Sequence, residues 1–336
     1  MCPNASPGSN VSDTANATTI FHTPAWSRVL HDSYGFQSFG LPDTDAREAV
    51  CLPIMEVDSC LTGRRGISLP FTDSVPALGS AAAIETAIEA LIRHGRARRW
   101  KRLQLRGGMP FGPDATPTAT YYEHTLNLVP DTDALLARCA SATRTAIRKA
   151  EQADVEIASG TDRVALDAFM HLNLETRRKH GLPPQPRRFF SQLKQHILDA
   201  NAGFIIWAKR GRVPMAAAVF LTHGVHAVFK FGASDPRHQA SRAGNLVMWR
   251  GICECRTRGC ETLSLGCTDL RHAGLRRYKL GWGVTESSLH YYTWSFAQER
   301  LIADPDYLIG FHNRIFRRLP PTLAQLAGSL LYRHVA

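Results

Sequence analysis

The feature of this sequence that most constrains its fold is a run of three apolar segments joined by very short turns. The segments occupy residues 204–208, 213–221 and 225–231, and the stretches between them, 209–212 and 222–224, have the Gly-containing composition of turns. Parallel neighbours in a sheet need a crossover of about a dozen residues or more, so these segments are predicted to form an antiparallel meander.

Around the meander, helical and strand patterns alternate through the second half of the chain. Apolar residues recur at helical spacing in 162–179, 188–200 and 241–258, whereas 155–158, 261–265 and 287–295 have the composition of strands. Gly266 is expected to open a loop and a short helix that leads to Lys279. The predicted order is β α α β β β α β α β, an α+β (mixed α/β) fold with a mostly antiparallel mixed sheet flanked by helices.

The first half repeats this plan in a weaker form, which predicts a second domain. Its segments are a helix at 26–33, strands at 48–57 and 66–70, a helix at 80–94, and strands at 101–105 and 121–128. A helix at 131–152 is expected to link the two halves. The predicted domains are a disordered tail (1–20), an N-terminal domain with the linking helix (21–152), a C-terminal domain carrying the site (153–300) and an amphipathic tail (301–336).

The chain carries a large positive charge. Its 40 Lys and Arg residues against 29 Asp and Glu give a formal net charge of +11, which favours nucleic acid, anionic lipid or a phosphorylated small molecule as partner. His and Lys interrupt the most apolar stretch, 213–233, so no membrane-spanning helix is predicted. Without a secretory pattern near residue 1, a cytoplasmic location is expected. A weak peripheral membrane contact by 301–318 is the alternative to simple packing, and the oligomeric state is left open.

Eight cysteines occur at irregular spacings, and the chain is long enough to fold without disulfides. Reduced thiols are therefore expected. The four cysteines between 253 and 267 lack the paired C-x2-C spacing of structural zinc sites. Core packing is the preferred interpretation of this cluster, and no metal is predicted.

Two basic runs are candidates for binding phosphate. Helical spacing places Arg144 and Arg148 on one face with Lys149 beside them, and Arg177 and Arg178 precede a Pro-rich loop at 183–186. Guanidinium groups bind phosphate through two parallel hydrogen bonds, but such a run is equally typical of a solvated helix face. The predicted substrate-binding set is completed by Lys230, Arg242, Asn245, Tyr278 and Trp282.

The block from 263 to 283 holds the candidate catalytic residues. A strand ending in Gly266 and Asp269 is expected to open towards a cleft, and Lys279 precedes a Gly-Trp-Gly sequence. An ammonium held there would stabilise a substrate phosphate, or the oxyanion that forms when an amine attacks an acyl carbonyl. Asp269 would orient the attacking amine or assist its deprotonation. The alternative interpretations are a surface lysine and a helix-capping aspartate.

At these residues the sequence resembles the FemABX family of GNAT-fold aminoacyltransferases. The resemblance covers roughly residues 131–292 and is carried by Ile147-Arg-Lys-Ala, by Thr176-Arg-Arg-Lys-His-Gly-Leu-Pro and, most specifically, by the Gly274-Leu and Tyr278-Lys-Leu-Gly-Trp-Gly block. It implies tandem GNAT domains and transfer of an aminoacyl group, usually from aminoacyl-tRNA, to an amine of a cell-wall, polysaccharide or related precursor. It also implies that Lys279 is the functional lysine. Cys267 and Tyr278 stand where relatives often have Arg and Phe.

The donor implied in this way is a co-substrate, and no bound cofactor is expected. An acyl-CoA enzyme of the GNAT type holds the CoA pyrophosphate on a Gln/Arg-x-x-Gly-x-Gly/Ala loop, and the corresponding stretch, 239–245, does not have this spacing. Aminoacyl-tRNA is therefore preferred over acyl-CoA as donor. Two other functions stay open: an acyl-CoA-dependent N-acyltransferase, and a non-catalytic basic module that binds RNA or an anionic surface.

Overall fold

The structure is a computed structural model that describes residues 17–40, 50–129, 131–303, 316 and 319–334. Its strands are β1 Gln37–Phe39, β2 Ile54–Val57, β3 Arg65–Ile67, β4 Arg102–Arg106, β5 Ala119–Asn127, β6 Glu156–Gly160, β7 Gly203–Arg210, β8 Val213–His223, β9 His226–Ser234, β10 Thr262–Asp269, β11 Thr285–Ser295 and β12 Arg300–Leu301. Its helices are α1 Pro24–Tyr34, α2 Ala81–Ala97, α3 Thr132–Arg138, α4 Ser141–Glu151, α5 Arg163–His180, α6 Arg187–Leu193, α7 Ala243–Thr257, α8 Ala273–Leu280 and α9 Pro321–Leu331.

The chain forms two compact units, and the strands and helices confirm the predicted mixed α/β class. The first unit comprises Met1–Tyr122, Ser288–Tyr307 and Leu330–Ala336, and the second comprises Glu123–Ser287 and Leu308–Ser329. Residues 123–152 thus belong to the second unit, whereas the predicted N-terminal domain included them. The reason is packing, because α4 buries Ile147 and Ala150 in the core that α7 also lines.

The second unit is built on the predicted meander. Strands β6, β7, β8 and β9 pair antiparallel in sequence order, with a register shift in β8 between Val219 and Phe220. Helix α7 crosses over the sheet and leads to β10, which pairs parallel with β9. The crossing is close, since a Cβ atom at Gly251 would lie 2.0 Å from the Phe220 ring.

The parallel pair β9–β10 opens along its length. Its register covers only Thr262 to Ser264 of β10, opposite His226 to Val228 of β9. Both strands continue beyond that point, to Ser234 and to Asp269. The carboxyl ends of the two strands therefore separate at one edge of the sheet, where ligands commonly bind in open sheets with parallel strands.

The first unit repeats the plan with shorter elements. Strands β1, β2 and β3 pair antiparallel, α2 forms the crossover, and β4 pairs parallel with β3. The core between sheet and helix includes Ile54, Leu91 and Leu103. An antiparallel segment followed by a crossover helix into a parallel strand is thus present in both units.

Two local predictions are wrong. The linking helix predicted at 131–152 is broken into α3 and α4, because Cys139 and Ala140 have extended ψ angles of 145° and 149°. The amide of Ala140 donates to the carbonyl of Gly281 instead of continuing a helix. Gly266, expected to open a loop, lies inside β10.

Two sequence predictions concern segments that the structure describes only in small part. The tail 1–20 and the amphipathic segment 301–318 lie almost entirely outside the described residues. No helix within the described ranges is long and apolar enough to cross a bilayer. The described part of the chain also contains no cluster of His, Cys, Asp or Glu suited to a metal ion.

Candidate functional site

Lys279 is a buried cation at the carboxyl end of β10. It lies in the last turn of α8 rather than after it, and only 5% of its surface is exposed. Its Nζ atom donates hydrogen bonds to the carbonyl oxygens of Gly266, at 2.9 Å, and Cys267, at 2.8 Å. Because the side chain is buried, the surface-lysine interpretation is excluded. The two carbonyls surround the ammonium with polar groups, without which its burial would be costly.

The backbone of Gly266 explains how two successive carbonyls reach one ammonium. In a regular strand, neighbouring carbonyls point in opposite directions along the sheet. Gly266 has φ +71°, a left-handed conformation that residues with a Cβ rarely adopt. This kink turns the carbonyls of Gly266 and Cys267 towards Lys279, so β10 and α8 are joined at the point where the sheet opens.

A second cluster of charged groups lies beside this ammonium, and no sequence motif marks it. The buried ring of His124 has Nε2 3.1 Å from Glu286 Oε2, and Arg276 donates to both Glu286 oxygens at 2.8 and 2.7 Å. A carboxylate only accepts hydrogen bonds, so Nε2 of neutral His124 carries the proton. His124 also faces the Gly266 backbone and the Lys279 charge.

The ionisation of this cluster follows from its surroundings. Burial, and next the charge of Lys279, lower the pKa of His124 below its usual value. The hydrogen bond from Arg276 lowers the pKa of Glu286. At neutral pH the cluster consequently holds a neutral imidazole between a carboxylate and a buried ammonium.

Asp269 is the last residue of β10, and its carboxylate accepts hydrogen bonds from a residue two positions further along the chain. Its carboxylate accepts from the Arg271 amide at 2.8 Å and from the Arg271 guanidinium at 3.1 Å through each of two nitrogens. These bonds lower the pKa of Asp269, which makes its carboxylate a weaker base. The geometry is that of a turn cap at the edge of the sheet.

Other predicted residues gather at the carboxyl ends of β9 and β10. The last turn of α5, which carries Arg177 and Arg178, is tied to the end of β9 by the bond from the Ser234 amide to Thr176 Oγ1, 2.9 Å long. Arg242 is exposed and has φ +59° immediately before α7, and Asn245 lies in the first turn of that helix.

The basic residues of α4 differ in their hydrogen bonds and in their exposure to solvent. The Arg144 guanidinium donates to the carbonyls of Ala137, at 3.2 Å, and Cys139, so it caps the break between α3 and α4. Arg148 and Lys149 are exposed near the end of α4. The last two are therefore the better placed for a ligand in solution.

Tyr278 and Trp282, which were predicted to bind substrate, pack against each other in the second unit. Trp282 is buried and meets the half-exposed Tyr278 edge to face, with ring centroids 6.1 Å apart. Lys230 lies on β9, with Nζ 5.6 Å from the centre of the Phe231 ring. A surface cleft of about 580 Å³ lies elsewhere, at Glu151 and Arg250.

Comparison with known proteins identifies a domain within the second unit. Residues 137–283 match the family model of the acetyltransferase (GNAT) domain. The chain resembles the crystal structure of FemX, with a TM-score of 0.64 and 10% identity over 87% of this chain and 97% of FemX. Comparison of the sequence with curated proteins gives no match.

Two further solved structures have similar folds. One is the C-terminal domain of a proposed lysylphosphatidylglycerol synthetase from Agrobacterium fabrum, with a TM-score of 0.56 and 11% identity over 97% of both chains. The other is L-PGS from Bacillus licheniformis, with a TM-score of 0.52 and 9% identity over 85% of this chain and 91% of that chain. Identities this low establish a shared fold only.

The second unit therefore contains a GNAT acyltransferase domain, which spans residues 137–283 of this chain. The chain as a whole shares its fold with FemX, in agreement with the resemblance at 274–283.

Proposed function

We propose that this protein transfers an aminoacyl group from aminoacyl-tRNA to an amine of a phosphate-bearing cell-wall, polysaccharide or related precursor. The observation that carries the proposal is the buried Lys279 ammonium at the open end of β9 and β10. A fixed positive charge in a site shielded from water interacts strongly with negative charge that develops nearby.

The reaction balances without a cofactor. The acceptor amine attacks the ester carbonyl of the donor, a C–N bond forms, and the carbonyl oxygen becomes an oxyanion that Lys279 stabilises. The C–O bond to the tRNA ribose then breaks, and the proton lost by the amine goes to the ribose oxygen. Asp269 contributes by attracting the acceptor while it is an ammonium, since its lowered pKa keeps the carboxylate charged. The ammonium loses one proton to solvent before the neutral amine attacks.

Four arginines are the proposed phosphate contacts, of which Arg177 is half-buried and the others are exposed. Arg177, Arg178 and Arg242 lie on elements at the open edge of the sheet, and Arg148 is exposed on α4. Together with the net charge of +11, they favour a polyanionic donor such as tRNA.

A second candidate is N-acylation from acyl-CoA, and the start of α7 favours it. The helix begins after a short 3₁₀ helix that follows β9. Arg242 makes no side-chain cap, and Ser241 Oγ accepts only a long bond, 3.4 Å, from the Ala243 amide. A helix N-terminus attracts phosphate through its amides and dipole. The spacing of 239–245 still differs from the usual CoA loop.

One experiment separates these donors. The protein is incubated with a set of amine acceptors and with charged tRNA, uncharged tRNA or acyl-CoA, and product masses are measured. Our proposal predicts an aminoacyl mass increase that requires charged tRNA. Product with acyl-CoA alone would favour the second candidate, and salt-sensitive RNA binding without product from any donor would contradict both.

A further inference from the structure

Helix α9 exposes a row of leucines on one face. Leu323, Leu326 and Leu330 are 50%, 57% and 59% exposed. At 3.6 residues per turn these positions fall within an arc of about 60°. Single exposed leucines are common, but three on one face of one helix indicate a contact surface.

The opposite face of α9 is packed, which fixes the direction of the leucines. Ala324 and Gly328 lie one turn apart, and both are buried. A Cβ atom at Gly328 would lie 2.1 Å from the carbonyl oxygen of Pro184, so this face of the helix rests on the Pro-rich loop. The leucine row therefore points outward because the small residues point inward.

The sequence that flanks α9 carries charges of one sign. Between residues 307 and 336 the sequence contains no Asp or Glu, while Arg314, Arg317 and Arg318 precede the helix in the sequence and Arg333 follows it. Residues 319–332 contain no Lys, Arg, Asp or Glu. An apolar helix face between basic residues is complementary to a surface that is apolar beneath an anionic layer.

We propose that α9 docks its leucine face on an anionic lipid bilayer, with the leucines at the acyl boundary and the exposed Arg333 at lipid phosphates. A second copy of the chain fits this face less well. Three half-exposed leucines offer far less than the roughly 800 Å² per partner of a standard protein interface, and two such segments would bring like charges together.

This inference does not depend on the donor or acceptor of the transfer reaction, so its test contains neither. The full chain is mixed with vesicles of phosphatidylcholine alone, or with roughly one third phosphatidylglycerol, and the bound fraction is measured by co-sedimentation at low and high salt. We expect binding to the anionic vesicles that weakens with salt, and little binding to the neutral ones.

Matched variants test the helix itself. Leu323→Gln with Leu326→Gln is expected to lower the partition coefficient by about tenfold or more, because two half-exposed leucines no longer enter the bilayer. Val164→Gln is the control, since Val164 is 67% exposed on the first turn of α5, at the end away from the Pro-rich loop. It is expected to bind like the parent, and Leu330→Gln replaces the double variant if that variant does not fold.

Three results would overturn the inference. They are equal binding to neutral and anionic vesicles, unchanged partition of the folded leucine variants, and absence of vesicle binding with a leucine-dependent dimer in sedimentation velocity. The last result would assign the face to a second copy of the chain.

Discussion

The Nζ atom of Lys279 lies 2.9 Å from the carbonyl oxygen of Gly266. This contact joins the last turn of α8 to the kinked part of β10, next to the point where β9 and β10 separate. A glycine conformation and a buried charge thus depend on each other, since the kink supplies the carbonyls that solvate the ammonium.

Replacing Gly266 by Ala is expected to destabilise the protein. The left-handed φ of +71° costs a residue with a Cβ about 1–2 kcal/mol. Gly274→Ala in α8 is the control, because no atom lies within 4 Å of its added methyl group and alanine favours helix. Urea unfolding should show a lower midpoint for the first variant only, and equal midpoints would contradict the assigned kink.

The stability of the protein should depend on His124 as the pH falls. Burial and the Lys279 charge lower the pKa of folded His124 below the unfolded value of 6.5. The unfolded chain therefore takes up the proton first, and stability is lost as the pH falls below about 6.5. No loss from this group is expected above that pH.

The measurement for His124 is the slope of the unfolding free energy between about pH 7 and 5. His124→Gln should flatten this slope relative to the parent, whatever its effect on absolute stability. His171→Gln, an exposed site on α5, should leave the slope unchanged. A parent-like slope in the His124 variant would show that another group determines the acid sensitivity.

Replacing Arg144 or Arg148 by Ala should affect the stability of the protein differently. Arg144→Ala removes the bonds to the carbonyls of Ala137 and Cys139 and is expected to lower the unfolding free energy by about 1–2 kcal/mol. Arg148→Ala removes an exposed charge and should change stability by less than about 0.5 kcal/mol, while it weakens tRNA binding and reduces the salt dependence. Equal stability losses would contradict the capping role of Arg144.

Much of the fold could be predicted because its signals are local. The meander follows from turns too short for any other connection, and pairing confirms it. Helix α5 begins after Asp162, which accepts a hydrogen bond from the Ala165 amide, and ends at Gly181 with φ +68°. Both are standard helix boundary signals.

The errors lie where distant residues determine the local structure. No Pro or Gly in the sequence marks the break at Cys139 and Ala140. The break is instead accompanied by a contact with Gly281, a residue far away in the sequence. A glycine in a strand is compatible with a loop or a kink, so the sequence around Gly266 did not distinguish them.

The candidate site was likewise predictable only where its residues belong to one local sequence block. Lys279 lies in a specific sequence block, whereas His124 and Glu286 are 162 residues apart and have no shared motif. Only the folded chain brings their side chains together. The roles of Lys279, Asp269 and the predicted phosphate contacts remain predictions that depend on transfer assays.

The most direct test of the account is the turnover of Lys279→Met, which removes the ammonium but retains an unbranched apolar chain. With the donor and acceptor identified by product mass, we predict that the folded variant loses at least about 100-fold in kcat. Lys209→Met, which removes a surface ion pair with Glu156, should keep parent activity. A folded Lys279→Met protein with the kcat of the parent would contradict the central claim.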